Sequence, residues 1–208
     1  MPALAERERV RRPPRDQVRE ELLAAAARVF ARRGFHGASV EAISEDAGLS
    51  TGAIYSNFKG KEHLFLSLYE ERIERRRAEL RSAVERAGGG QAGLAAASAD
   101  VGETFRRDRD WFLLYFEFAL HAARDPAFAR RFRRVRQAGL RDLVGGLSEG
   151  LERAGLEPTM SAVQLARGLR GLSYGLALER LVGDGRGSEE LFGRVTELIF
   201  TGLASESN

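Results

Sequence analysis

Apolar residues recur at helical spacing along almost the whole chain, and no stretch alternates as a half-buried strand would, so the pattern predicts an all-α fold. Val18, Leu22, Ala26, Val29 and Phe30 mark a first helix from a capping Asp16 to about Arg33, closed by Gly34, with Phe35 folding back onto a small core. A long stripe through Leu64, Phe65, Leu68, Tyr69, Ile73, Leu80 and Val84 follows, and Gly88-Gly89-Gly90 stops it. Further helices are expected over residues 91–107, 110–124, 126–154, 161–182 and 189–204. With two short helices near the amino terminus, the pattern predicts about nine in all.

Those two short helices carry the most specific signal. Ser39 is a good N-cap for the first, with Val40, Ile43 and Ala47 on one face. Gly48 stands where a helix ends in a left-handed residue, and Leu49 plugs the corner. Ser50 caps the second, which buries Ile54 and Phe58. Two short helices around a tight turn with Gly form the helix-turn-helix pattern. Outward from the second helix lie Thr51, Gly52, Ala53, Tyr55 and Asn57, with no carboxylate among them. Small residues let the backbone approach a base edge, Asn pairs with adenine, and a Tyr hydroxyl reaches a phosphate. Lys59 and Lys61 follow, the only lysines in the chain. The expected DNA contacts are therefore Ser39, Ser50, Thr51, Gly52, Ala53, Tyr55, Asn57, Lys59 and Lys61, with the start of the next helix offering its free N–H groups to a phosphate.

From Phe30 to Leu68 the chain resembles the amino-terminal domain of the tetracycline-repressor (TetR) family, through Gly34-Phe35, Ala47-Gly48-Leu49-Ser50, Ile54-Tyr55, Phe58-Lys59 and Lys61-Glu62-His63-Leu64. Three positions depart from that pattern. Ser44 replaces the usual Ala, a small-for-small change. Glu41 stands where a base is common, and Asn57 where an aromatic or His often precedes the Phe, which should shift sequence preference. The resemblance implies a dimeric regulator, most simply a repressor, whose larger helical domain binds a small molecule and moves the reading heads through a lever helix. The expected layout is a basic arm over residues 1–14, a DNA-binding domain over 15–60, the lever over 61–88, and an effector-binding and dimerisation domain over 91–205.

Composition changes the picture only by exclusion. Lys and Arg number 33 against 30 acidic residues, for a net charge of +3, so local arrangement and not bulk charge points to DNA. The absence of cysteine removes disulfides, thiolate metal sites and Cys nucleophiles. His36, His63 and His121 are scattered, and no phosphate-cradling loop or metal spacing is present, so no enzyme, cofactor or metal is expected. No apolar run is long enough for a membrane span and the start lacks a signal-peptide core, which leads to the expectation of a cytoplasmic protein.

In the larger domain, the segment from Asp110 to Arg124 is apolar nearly all round and is expected to be central. Its Trp111, Phe112, Tyr115 and Phe116, with Phe132 and Tyr174, are the candidates for a mostly apolar effector, Glu117 and His121 being possible polar handles. Arg130, Arg131, Arg133, Arg134 and Arg136 read as a solvated face, of which one or two could serve a phosphate-bearing ligand. Gly168, Gly171 and Gly175 line one stripe beside Leu172, Leu178 and Val182, and glycine inside a helix costs about 1 kcal/mol relative to Ala. Close approach of another helix would justify them. With Phe192, Val195, Ile199 and Gly202 they are the expected homodimer interface, which would set a palindromic DNA site. The rival reading is a helix-turn-helix protein that acts without any effector.

Overall fold

The computed structural model describes residues 14–158, 160–183 and 187–206, the backbone alone for Thr201 and for 203–206. The arm expected over residues 1–14 lies outside the described residues but for Pro14. Among the described residues there are nine helices and no strand: α1 (Arg15–Gly37), α2 (Val40–Ala47), α3 (Thr51–Asn57), α4 (Lys61–Arg86), α5 (Gly90–Arg107), α6 (Arg109–Arg124), α7 (Pro126–Ala154), α8 (Ala162–Val182) and α9 (Ser188–Glu206). No helix among them is long and apolar enough to cross a membrane.

The chain divides into two compact units, and the division falls inside α4, after Phe65. In the first unit, α1 packs on α2 and α3. Its core gathers Leu22, Leu23, Val29, Phe30, Phe35, Ile43, Ile54, Phe58, Leu64 and Phe65, all buried. Phe30, Phe35 and Phe65 meet edge-on or tilted with centroids 5.9–6.1 Å apart, a favourable aromatic geometry. The first turn of α4 thus belongs to this core. Gly34, with φ +67°, breaks α1 and lets Phe35 turn inward. The start of α1 differs from expectation: Pro14 holds the N-cap position and no side chain caps it, while Asp16 lies in the first turn.

In the second unit α5 packs on α7 and α9, and α8 on α6, α7 and α9. Gly102 makes the α5–α9 approach possible, because a Cβ there would stand 2.9 Å from the Glu189 carbonyl oxygen. Asp125 caps α7 through the N–H groups of Ala127 and Phe128, with Pro126 in the first turn, and Ser161 and Gln164 form a capping box on α8. Helix α6 is amphipathic where it was expected to be apolar all round. Phe112, Leu114, Tyr115 and Phe118 are buried, but Leu113 and Leu120 face solvent.

Candidate functional site

The helix-turn-helix is built by local hydrogen bonds. Ser39 accepts the Ala42 N–H at 3.1 Å and Ser50 accepts the Ala53 N–H at 3.3 Å, so both short helices start at a serine cap. Between them Gly48 adopts the left-handed conformation at φ +66°, ψ +25°, and the Leu49 N–H returns to the Ser44 carbonyl. Ser44, expected to be a neutral replacement for Ala, is buried and does more. Its hydroxyl donates to the Glu41 carbonyl at 2.8 Å and lies 3.3 Å from the Thr51 hydroxyl, tying α2 to α3. Outside this crossing, Arg28 and Arg32 both pair with Asp46, and their hydrogen bonds, that of Arg32 first, hold its carboxyl below the usual carboxylate range.

On the outward side of α3, Tyr55 is 62 % exposed, and Ser50, Gly52 and Lys59 are exposed beside it. Thr51, Ala53 and Asn57 are half-buried. The Asn57 amide donates back to the Ala53 carbonyl at 2.8 Å, which spends one of its two donor hydrogens inside the helix. Lys61 departs from expectation. Its ammonium donates to the carbonyls of Phe35 at 2.9 Å, His36 at 3.4 Å and Ala38 at 2.9 Å, and stands 4.7 Å above the Phe35 ring. These carbonyls lie at the end of α1, where the last turn lacks intrahelical donors, and a cation there interacts favourably with the helix dipole. The Lys61 ammonium, expected at a phosphate, is thus occupied as a cap of the domain. Lys59 is the lysine that stays outward.

The aromatic candidates of the second unit separate into two groups. Tyr115 stacks on Tyr174 with centroids 4.3 Å apart, and Phe116 meets both rings, at 5.4 and 6.4 Å. Tyr69 joins Trp111 at 5.6 Å, Phe132 at 5.3 Å and Tyr115 at 6.1 Å. Trp111, Tyr115, Phe116, Phe132 and Tyr174 thus come together, with Tyr69 of α4 as a member that the sequence reading left in the core stripe. Phe112 has its ring contact with Phe105 and packs with Phe105, Leu176 and Phe192 in a core cluster that Phe116 and Tyr174 border. The His121 ring lies 4.9 Å from Phe128 and 6.2 Å from Phe118, against that neighbouring pair. Glu117 is half-buried on α6. Burial raises the hydroxyls of Tyr69, Tyr115 and Tyr174 above the ordinary tyrosine value. Arg136, expected on a solvated face, has its guanidinium 5.9 Å from the Tyr115 centroid and 5.7 Å from that of Phe132.

The residues expected at a dimer interface also divide. Gly168, Gly171 and Gly175 are clear on the outer side of α8, since a Cβ at any of them would meet nothing within 4 Å. Leu178 and Val182 continue that stripe, Val182 being 76 % exposed. On α9 the outer apolar positions are Leu191, Val195, Leu198 and Gly202, with Leu198 72 % exposed. Phe192 is buried against Phe105, and Leu172 and Ile199 pack on core clusters, so these three face inward. Leu191 and Leu198 are the outward residues that sequence reasoning missed; they repeat at seven residues, one helical face along from Phe192 and Ile199.

Comparison with known proteins agrees with this anatomy. Residues 22–68 match the family described as bacterial regulatory proteins, tetR family, and residues 101–203 match the carboxy-terminal domain of BetI-type transcriptional repressors. The HTH-type transcriptional repressor AcnR of Corynebacterium diphtheriae is 34 % identical over 114 residues, 55 % of either chain. The HTH-type transcriptional activator FasR of Mycolicibacterium smegmatis is 31 % identical over 106 residues, 51 % of this chain and 48 % of its own. These matches span about half the length of the curated relatives. Among solved structures, a transcriptional regulator from Pseudomonas aeruginosa superposes with a TM-score of 0.74 at 26 % identity, over 93 % of each chain. The transcriptional regulator FadR of Bacillus subtilis, solved in complex with stearoyl-CoA, gives 0.71 at 20 % identity over 88 % of this chain and 98 % of its own. With a serine-capped helix-turn-helix in the first unit, helices alone among the described residues of the second, and matched domains of one kind of regulator along most of its length, the chain belongs to the TetR family of bacterial regulatory proteins.

Proposed function

We propose that this regulator is a ligand-responsive repressor that binds a palindromic operator as a homodimer and is released by a small molecule held in the second unit. The observation that carries this reading is the uncovered face of α8 and α9. Three glycines there meet no neighbour, beside exposed Leu178, Val182, Leu191 and Leu198. A helix–helix contact through such a face uses small residues for close approach and leucines for apolar burial. A twofold axis through it would present two α3 helices to an inverted repeat. Tyr55, Lys59, Ser39 and Ser50 would then serve the phosphates, and Gly52, Ala53, Thr51 and Asn57 the base edges.

The effector would lie against Trp111, Tyr115, Phe116, Phe132 and Tyr174, entering by parting the stacked Tyr115 and Tyr174 rings. A FadR of this fold solved with stearoyl-CoA supports a ligand with a long apolar body. Release requires only that the ligand favour one arrangement of the dimer, and a coupling of about 1–3 kcal/mol changes operator affinity some 5–150-fold. The test is sedimentation and operator binding by Gly171→Arg. Because a Cβ there meets nothing within 4 Å among the described residues, the variant is expected to keep the fold, which its far-UV circular dichroism checks. Dimer mass should be lost, and operator affinity should fall on the order of 100-fold with the loss of bivalency. A wild-type protein that sediments as a monomer at micromolar concentration, or a Gly171→Arg variant that binds inverted repeats normally, would refute the proposal.

A further inference from the structure

Arg136 stands among aromatic rings on the inward stripe of α7. Its Nε is buried and has no hydrogen-bond partner among the described residues. A buried donor left unpaired is costly, more so on a charged group, so the site asks for an acceptor. Other arginines of this unit meet carboxylates: Arg72 pairs with Asp108, Arg76 with Asp100 and Glu79, and Arg107 with Glu79. Around Arg136 stand rings instead, Tyr115 and Phe132 within 6 Å of the guanidinium carbon. The charged side chains acting on the hydroxyls of Tyr69 and Tyr115 are Arg136 and Arg170, both cationic. Arg170 spends one donor on the Arg136 carbonyl at 3.2 Å, which anchors the helix turn behind the site.

We infer that Arg136 and the neighbouring tyrosine hydroxyls receive the carboxylate of an amphipathic effector, whose acyl or aryl body lies along Trp111, Phe116 and Phe132. The guanidinium offers a planar fork that matches a carboxylate, and one cation balances one monoanion. Phenol hydroxyls are protonated at neutral pH, and burial here raises them further; those of Tyr69, Tyr115 and Tyr174 bond one another, and one of them would turn its O–H to the anion on binding. The effector class narrows from an apolar molecule to a monocarboxylic acid with an apolar body. This inference rests on the effector site proposed above.

The experiment titrates the full-length protein with two matched pairs, decanoate against decanamide and phenylacetate against phenylacetamide. Binding is followed by the fluorescence of Trp111, the only tryptophan, and by thermal shift. At least one acid should bind about tenfold or more tightly than its amide, and Arg136→Gln should weaken the acid far more than the amide and so remove that preference. Tyr174→Phe should weaken the acid more than the amide, which keeps the inference open to refutation should Arg136→Gln unfold. Equal binding of acid and amide, or an acid preference that survives Arg136→Gln, overturns the carboxylate assignment and leaves the apolar effector site standing. No binding of any of the four overturns both.

Discussion

The helix-turn-helix and the aromatic site of the second unit are made in opposite ways. Every bond that shapes the α2–α3 crossing links residues close in sequence: Ser39 to Ala42, Ser44 to Glu41 and Thr51, Ser50 to Ala53, with Gly48 turning the corner. The aromatic site draws Tyr69 from α4, Trp111 and Tyr115 from α6, Phe132 and Arg136 from α7, and Tyr174 from α8. A locally specified motif takes its shape from its own caps and turn, with α1 covering its apolar side. A site assembled from four helices changes shape when any of them shifts, which suits a ligand sensor. The difference also decides which substitutions hurt stability and which hurt recognition.

The sharpest contrast comes from removing a ring. Phe132 is buried and touches Tyr69, Tyr115, Phe118 and Phe128, so Phe132→Ala should cost about 3–5 kcal/mol in urea-induced unfolding. A loss below about 1 kcal/mol would mean that the rings close over the gap. The next effect lies in the reading head. Lys61→Met keeps the apolar stem but abandons three carbonyls, and should lower stability by about 1–2 kcal/mol while leaving the salt dependence of DNA binding as it was. Lys59→Ala should do the reverse, leaving stability intact and flattening the log–log salt slope by about one. Exchanged outcomes for the two lysines would return Lys61 to the phosphate backbone.

This pair also shows where the sequence was legible. The caps, the Gly48 turn and the buried Ile54 and Phe58 could be read because each is decided within a few residues. The sequence declares the charge of Lys61 but not that the end of α1 comes back beneath it, a contact across 23 to 26 positions. Arg136 was hidden by its company, since Arg130, Arg131, Arg133 and Arg134 look alike and all four are exposed. The signal was nevertheless present: Phe128, Phe132 and Arg136 follow at intervals of four, which sets the arginine on the inward stripe. Phe192 and Leu191 illustrate a harder limit. Helix α9 carries two neighbouring apolar stripes, and only the packing against Phe105 tells which of them is the core.

Smaller effects sharpen the same contrast within the motif. Ser44→Ala should cost about 1 kcal/mol, the net worth of a buried hydrogen bond, read as a lowered urea midpoint with unchanged m. A neutral result would restore Ser44 to the status of a simple substitute for Ala. The smallest change concerns acid. Arg32 and Arg28 hold the Asp46 carboxyl below its ordinary 3.8, so the folded state binds that proton less readily than the unfolded chain does. Stability from this triad is therefore fully present above the ordinary carboxylate range and is lost as pH falls toward and below it. Because all three side chains reach water, the loss is small and screened by salt. Asp46→Asn should give a stability profile that no longer falls through this step between about pH 5 and 3, with operator binding at neutral pH preserved. An unchanged acid limb in that variant would assign the α1–α2 packing to the buried rings alone.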